Sequence, residues 1–345
     1  MVRVPAMAPA APTDGRFALR ARRIVGPPAP AAQPDPWPER SVVVIGNFDG
    51  VHRGHQSVLA EARRLASARG LATVVLTFDP HPAVALGREP PPCLTAMPRR
   101  GALLLAEADR VAVREFDHAF AQTSPREFAE GLLVQTLGAR VVVVGQNFRF
   151  GHARAGDLDM LRKFGEAMGF EAVAHPLAED ALGRFSSSRA RQAAIGGDTR
   201  TIHELLGRPH SFAGLVVTGA QRGRSLGFPT ANIAGQVEIV PPRGVYAVRV
   251  LGIESQEDAL AEEASVLGFG VFNRGVRPTV ADGLRESLEV HVLDFEGDLY
   301  GRRLRIEILE RLRDEMRFDG LDALKAQIAR DVALARTLFE RPRPG

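Results

Sequence analysis

The chain has 345 residues, 45% of them hydrophobic and 25% charged, which exceeds what one core usually holds and predicts two domains. Its 44 basic and 41 acidic residues leave a net charge of +3, too small an excess over this length to call for a nucleic-acid partner. The single cysteine, Cys93, excludes an internal disulfide, and no apolar run approaches the ~18 residues of a membrane span, so a cytoplasmic location is expected.

Residues 1–40 carry Arg16, Arg20, Arg22 and Arg23 and then an Ala/Pro-rich run, and they read as a disordered leader without the apolar core of a secretory signal. From residue 41 short β-branched runs at 42–45, 72–77, 110–114, 140–144 and 170–174 alternate with helical patterns. That alternation predicts a parallel, doubly wound α/β sheet over residues 41–200. Ligands of such sheets sit beyond the carboxyl ends of the strands, so the loops after the strands are the informative ones.

The first of these loops reads Gly46-Asn47-Phe48-Asp49-Gly50-Val51-His52-Arg53-Gly54-His55. Gly46 and Gly50 permit a tight turn, and the helix that follows presents free backbone N–H groups to an anion. His52 and His55, three apart, share one helix face. The order strand, glycine turn, histidine pair, helix suits a triphosphate and is similar to the His-x-Gly-His signature of nucleotidyltransferases. The rival readings are a metal pair, which needs a third ligand where only Asp49 lies close by, and a structural turn.

The loop after the second strand is Thr77-Phe78-Asp79-Pro80-His81-Pro82, and that after the fourth is Gly145-Gln146-Asn147-Phe148-Arg149-Phe150-Gly151. Ser124-Pro125 with Glu127 marks a helix start without an assigned role. Ser186-Ser187-Ser188-Arg189-Ala190-Arg191 opens another helix, offering hydroxyls, N–H groups and two arginines to an anion; taken alone it reads as an ordinary cap, and its position after the last strand of the sheet favours the anion site. Arginine supplies nearly all the positive charge, with lysine only at Lys163 and Lys325, so one arginine beside a motif carries little weight.

After Gly207 the pattern changes. Alternating segments at 211–218, 244–251, 287–295 and 303–309, separated by glycine-rich turns, predict a small antiparallel barrel over residues 201–345, with Glu296-Gly297-Asp298 as a hairpin between the last two strands. Leu321, Leu324, Ile328, Val332 and Ala335 step by three and four behind Asp319 and predict a C-terminal helix packed on the barrel. Within the barrel half lies Arg222-Gly223-Arg224-Ser225-Leu226-Gly227-Phe228-Pro229-Thr230-Ala231-Asn232. Its glycines let backbone approach phosphates, and its hydroxyl and amide are hard oxygen donors suited to Mg²⁺, while a plain turn entering a strand is the alternative. In 288–292 Glu289 and His291 share one strand face, where a carboxylate can accept a proton from a hydroxyl or merely face solvent.

Taken together over residues 40–340, these motifs resemble the bacterial bifunctional riboflavin kinase/FAD synthetase family. The likeness extends to Gly244-Val245-Tyr246, Arg277-Pro278-Thr279, Asp294-Phe295, Leu299-Tyr300-Gly301 and Leu312-Arg313-x-Glu315. It implies an α/β Rossmann-like nucleotidyltransferase domain followed by a small antiparallel β-barrel riboflavin kinase domain with a C-terminal helix. It also implies two reactions that need Mg²⁺ and use ATP as co-substrate: riboflavin to FMN in the barrel, then FMN to FAD with release of pyrophosphate in the α/β half.

By the same resemblance His52, His55 and Glu289 are the catalytic residues, the histidines stabilising the triphosphate and Glu289 acting as base for the ribityl hydroxyl. Nucleotide binding falls to Gly46, Phe48, Asp49, Gly54, Asn147, Arg184, Ser187, Arg189 and Arg191 in the first half, and to Gly223, Arg224, Thr230 and Asn232 in the second. Thr230 and Asn232 would hold the metal, and Asp79, Pro80, His81, Arg313 and Arg317 would contact flavin. The partners implied are the small molecules riboflavin, FMN and ATP, without nucleic acid or membrane, and a homo-oligomer is compatible.

The chain departs from the family pattern at Ser188, where threonine is usual, at Ala190, where isoleucine is common, and at Asn147, often an aspartate. Gly270-Val271-Phe272-Asn273-Arg274-Gly275 replaces an Ala-Asn-Ile-Gly-like segment and is expected to place bulk and charge beside the nucleotide loop. Two other functions remain to be separated from the bifunctional enzyme. One is FAD synthesis alone, with the barrel as a flavin-binding or regulatory part. The other is an RNA-binding module, which aromatics of only 6% and the absence of basic-aromatic interleaving oppose.

Overall fold

The computed structural model describes residues 21–24, 37, 40–219, 227–254, 263–279 and 283–339. In its first half β1 (Ala21–Ile24), β2 (Ser41–Ile45), β3 (Ala72–Asp79), β4 (Arg110–Glu115), β5 (Ala139–Gly145) and β6 (Glu171–His175) form one parallel sheet in the order β1-β4-β3-β2-β5-β6. All five residues of β2, at the centre of the order, are buried, as a strand covered on both faces must be. One face packs against Leu59, Ala62, Leu65 and Ala66 of α1 (Arg53–Arg69) and Leu104 and Leu105 of α2 (Met97–Leu105). The other packs against Phe128, Leu132 and Leu133, in a segment wound as a π-helix, and Leu161 of α3 (Leu158–Met168).

The leader is a correction in part. Residues Ala21–Ile24 run parallel to Val111–Arg114 at the sheet edge, and Trp37 is buried in the core, so disorder throughout residues 1–40 does not hold. The Ser124 start is a capping box closed by Glu127.

Beyond a two-residue-stranded hairpin of β7 (Glu179–Asp180) and β8 (Gly183–Arg184), α4 (Ser187–Gly196) and α5 (Thr199–Leu206) lead into the second half. There β9 (His210–Val217), β10 (Ala231–Ala234), β11 (Gly244–Glu254), β12 (Glu263–Thr279), β13 (Gly283–Val292) and β14 (Arg303–Arg313) close a barrel in the order β10-β13-β12-β11-β14-β9, and α6 (Leu321–Phe339) follows. The predicted barrel and terminal helix are both present.

Two sequence expectations in the barrel fail. The bulk expected of 270–275 beside the nucleotide segment is turned into the core of the barrel instead: in β12 Phe272 is fully buried against Phe212 and Tyr246, a burial worth about 1.5 to 3 kcal/mol. Arg274 is spent on the carbonyls of Val240 and Pro241 and on Glu286. Nor do the last two strands form a hairpin at 296–298, because β13 pairs with β10 and β12 while β14 pairs with β9 and β11.

The halves meet through a shared apolar cluster of Leu94, Ala190, Ala193, Ala194, Ile202, Leu205, Leu206 and Ile239. Ile239 N–H donates to the Cys93 carbonyl at 2.8 Å, and Glu238 accepts from the N–H groups of Ala96 and Ala213, each at 3.3 Å.

Candidate active sites

The turn after β2 is conformationally unusual: Phe48, Gly50 and Val51 all have positive φ, at 51°, 87° and 39°. Such a backbone persists only when its surroundings hold it, and it brings the chain back so that α1 starts at the sheet edge. His52 caps α1, its Nδ1 accepting from His55 N–H at 3.3 Å, which leaves Nε2 as the protonated, donating nitrogen. The two imidazoles stack with centroids 3.7 Å apart and planes 18° apart, and Phe48 meets His55 edge-on at 5.1 Å.

Burial pushes His52 down from 6.5 to about 4, with the Arg208 and Arg191 cations helping and Asp49 opposing. His55 is driven well below 6.5 by burial first and then by His52, Arg100 and Arg208. Both rings are therefore neutral at neutral pH and can each donate one hydrogen bond to a phosphate oxygen while charge builds on it. Because the unfolded chain takes up protons near pH 6.5 that native His52 refuses until about 4, folding stability is full above about 6.5 and falls as pH drops towards 4. Thermal melting across that window should decline in the native protein and decline less in a His52→Asn variant.

Gly54 is closely packed, so any larger residue must move its neighbours. A Cβ there would lie 3.0 Å from Phe185 and 3.1 Å from the His52 ring. A Gly54→Ala variant should displace the His52 ring by a few tenths of an ångström, read as a shift of its imidazole resonances.

The remaining sequence candidates divide. Asp49 is buried and accepts from Leu94 N–H, Thr95 N–H and Arg191 Nη2, the last at 2.7 Å, while Ser187 Oγ donates to its carbonyl at 2.8 Å. Asp49, Ser187 and Arg191 are thus brought together beside His52, the carboxylate tying the turn to α4; breaking such a buried pair costs about 3 to 5 kcal/mol. Arg189 points instead to Asp180 at 2.8 Å and to the Gly183 carbonyl, and Arg184 is exposed on β8. Asn147 is exposed in the loop after β5. Gly46 is packed under Phe48, where a Cβ would lie 3.1 Å from the ring.

At the end of β3 Asp79 lies 3.8 Å from Arg100; in the loop that follows Pro80 is exposed, and His81 Nδ1 caps the short helix Pro82–Ala85 by accepting from Ala83 N–H at 3.1 Å. Two features escape the sequence. Arg100 is buried between Asp79 and the histidines, donating to the Phe78 carbonyl at 3.2 Å; among so many arginines nothing in the sequence marks it. The half-buried Phe78, Phe116 and Phe148 stand at the carboxyl ends of β3, β4 and β5. Aromatics at those three strand ends were a signal available in the sequence.

In the barrel, Glu289 of β13 lies opposite Asn232 of β10 on one side and Asn273 of β12 on the other. Thr230 Oγ1 donates to Glu289 Oε2 at 3.3 Å. Gly219 lies over Asn232, since a Cβ there would fall 2.2 Å from its amide nitrogen. Two cavities meet at this cluster. One, about 510 Å³, is bordered by Thr230, Phe295 and Tyr300; the other, about 310 Å³, runs under α6 and is bordered by Thr230, Asn273, Glu289, Arg313 and Phe318. Arg313 is fixed in the second by Asp331, which accepts from its Nε and Nη2 at 2.7 to 3.1 Å. Arg317 is exposed and does not border that cavity, and Gly223 and Arg224 lie outside the described residues.

Thr230, Asn232 and Glu289 supply a hydroxyl, an amide and a carboxylate in one place, a hard-oxygen set that fits Mg²⁺. Among the described residues no group of three or more His, Cys, Asp or Glu side chains could hold a metal, which leaves the histidine pair without the third ligand a metal site requires. No helix among them is long and apolar enough to cross a membrane.

Known proteins match both halves. The FAD synthetase family model matches residues 35–189 and the riboflavin kinase model residues 206–339. The chain is 40% identical over 308 residues to the bifunctional riboflavin kinase/FMN adenylyltransferase of Escherichia coli (strain K12), covering 89% of this chain and 95% of that one. It is 42% identical over 299 residues to the protein of the same name from Pseudomonas fluorescens, covering 86% and 92%, and 34% identical over 310 residues to that of Bacillus subtilis (strain 168), covering 88% and 94%. Among solved structures, one named as a macrolide-efflux protein from Streptococcus pneumoniae superposes with a TM-score of 0.75 at 29% identity, covering 92% of this chain and 99% of that one. Two family models in the order of the two halves, and relatives matched along nearly their full length, place this chain in the bifunctional riboflavin kinase/FMN adenylyltransferase family.

Proposed function

We infer that the chain converts riboflavin to FAD in two steps at two separate sites, phosphorylating riboflavin in the barrel and adenylylating FMN in the α/β half. The observation that carries this reading is that each half has its own polar cluster of the kind phosphate transfer needs: stacked imidazoles at a helix N-terminus in one, and Glu289 bonded to Thr230, which borders both cavities, in the other.

In the barrel, Thr230 borders both cavities but Glu289 only one, so the acceptor hydroxyl enters from the side of Glu289 and Phe318 and the nucleotide from the side of Phe295 and Tyr300. The riboflavin 5′-hydroxyl attacks the γ-phosphorus of ATP, Glu289 takes its proton, and ADP leaves. Arg313, held by Asp331, would orient the flavin. Thr230 and Asn232 would hold Mg²⁺, which when bound neutralises phosphate charge.

In the α/β half, a phosphate oxygen of FMN attacks the α-phosphorus of ATP and pyrophosphate leaves. The nucleophile is already an anion and needs no strong base, which suits histidines that stay neutral. His52 and His55 would donate to oxygens of the triphosphate, the N-terminus of α1 adds backbone N–H groups, and Phe78, Phe116 and Phe148 offer an apolar wall to the isoalloxazine. Ser187 and Arg191 stand beside this group; Arg191 would exchange part of its hold on Asp49 for outer phosphates. Cys93, its thiol pushed up to about 12 by burial and by Asp49 and Glu238, is unsuited to act as a nucleophile.

Purified protein given riboflavin, ATP and Mg²⁺ should form FMN and, after a lag, FAD, as followed by chromatography. FAD formed only when FMN is supplied would restrict the activity to the α/β half.

A further inference from the structure

Arg208 belongs to the segment matched by the riboflavin kinase model, yet its guanidinium reaches the other half. Nη2 donates to the Gly50 carbonyl at 2.6 Å, and Nη1 donates to the carbonyls of Val51 and Leu206, each at 3.2 Å. Gln56 of α1 reinforces the same knot, its Nε2 donating to the Val51 and Leu206 carbonyls at 2.9 Å. The chain reverses through Gly207, with φ of 70°, and this brings Arg208 back over the end of α5.

The acceptors are not arbitrary surface carbonyls. Gly50 and Val51 are two of the three positive-φ residues of the turn, and they immediately precede His52. The Val51 carbonyl shares a planar peptide unit with the His52 N–H, so clamping the oxygen fixes the plane from which His52 projects. His52 in turn orients His55 through the Nδ1 bond and the ring stack. We propose that Arg208 is a positioning residue for adenylyl transfer, contributed by the kinase half, which holds the turn that presents His52 and His55 to the nucleotide. The proposal rests on the assignment of these histidines to that reaction.

Electrostatics supports the geometry. Burial lowers the Arg208 guanidinium only to about 10, so it remains a cation at neutral pH. That cation faces both imidazoles, together with Arg191 and Asp49 at His52 and with Arg100 at His55. Removing it should let both rings protonate at higher pH.

The test measures both activities in one preparation of the full chain for Arg208→Met, Arg208→Lys and His55→Ala. Arg208→Met should lower kcat for FAD formation from FMN by ~10- to 100-fold, leave KM for FMN within about twofold, move the acid limb of the pH profile upwards, and leave FMN formation from riboflavin within about twofold. Arg208→Lys, which keeps the charge but cannot span the carbonyls as a planar fork, should lose kcat while its acid limb stays in place. This variant carries the test should Arg208→Met fail to fold. Equal loss of both activities, or unchanged adenylyl transfer in the Arg208 variants while His55→Ala is inactive, would overturn the proposal alone. Full adenylyl transfer in His55→Ala would overturn the underlying assignment and the proposal with it.

Discussion

Replacement of His55 by alanine is expected to lower FAD formation from FMN by at least ~100-fold while FMN formation from riboflavin continues at its normal rate. His55 Nδ1 is enclosed and has no hydrogen-bond partner among the described residues, and its ring is locked between His52 and the edge of Phe48. A buried imidazole held rigid and neutral is prepared to donate to a charge that appears only during reaction, and such preorganisation is what truncation removes. The variant should fold, because the ring contributes no side-chain hydrogen bond to the core through Nδ1. The checking measurement is kcat with FMN and ATP, against riboflavin kinase activity of the same sample.

The second large effect is expected at Glu289. Glu289→Gln retains the size of the side chain and an acceptor for Thr230 Oγ1 but cannot take a proton, so phosphorylation of riboflavin should fall by ~100- to 10,000-fold. FAD formation from supplied FMN should be unaffected, since Glu289 lies on the barrel wall opposite Asn232 and Asn273. Because the strand places Glu289 rigidly, with Val290 buried beside it in the barrel core, the loss should appear in kcat and not in stability. Unchanged melting temperature with abolished turnover is the expected pair of results.

What the sequence discloses follows from where the physics is local. The α/β sheet, the turn of Gly46 to His55, the caps at Ser124 and Ser186 and the terminal helix are written in short runs and spacings, and the structure contains each of them. The β12 strand is absent from the predicted segments because Gly268, Gly270 and Gly275 interrupt the alternating apolar pattern. In the barrel, Gly270 is required by the close approach of the neighbouring strand: a Cβ there would sit 2.4 Å from the His291 carbonyl oxygen. The absence of a hairpin at 296–298 follows from barrel closure, in which β13 and β14 take partners from elsewhere in the chain.

The least legible features are those built by distant segments. Asp49 looks like a phosphate-loop carboxylate in sequence, but it gathers Leu94, Thr95 and Arg191, the last 142 residues away. Arg208 lies 157 residues beyond the Val51 carbonyl it holds. The barrel triad of Asn232, Glu289 and Asn273 becomes a row only through strand register.

Two independent sites in series make one demand that a single measurement meets. His55→Ala protein alone should stop at FMN, and Glu289→Gln protein alone should leave riboflavin unchanged. Mixed together with riboflavin, ATP and Mg²⁺, the two should produce FAD, each supplying the step the other lacks. A mixture that makes no FAD, although its components separately retain kinase activity and adenylyl transfer, would contradict the account.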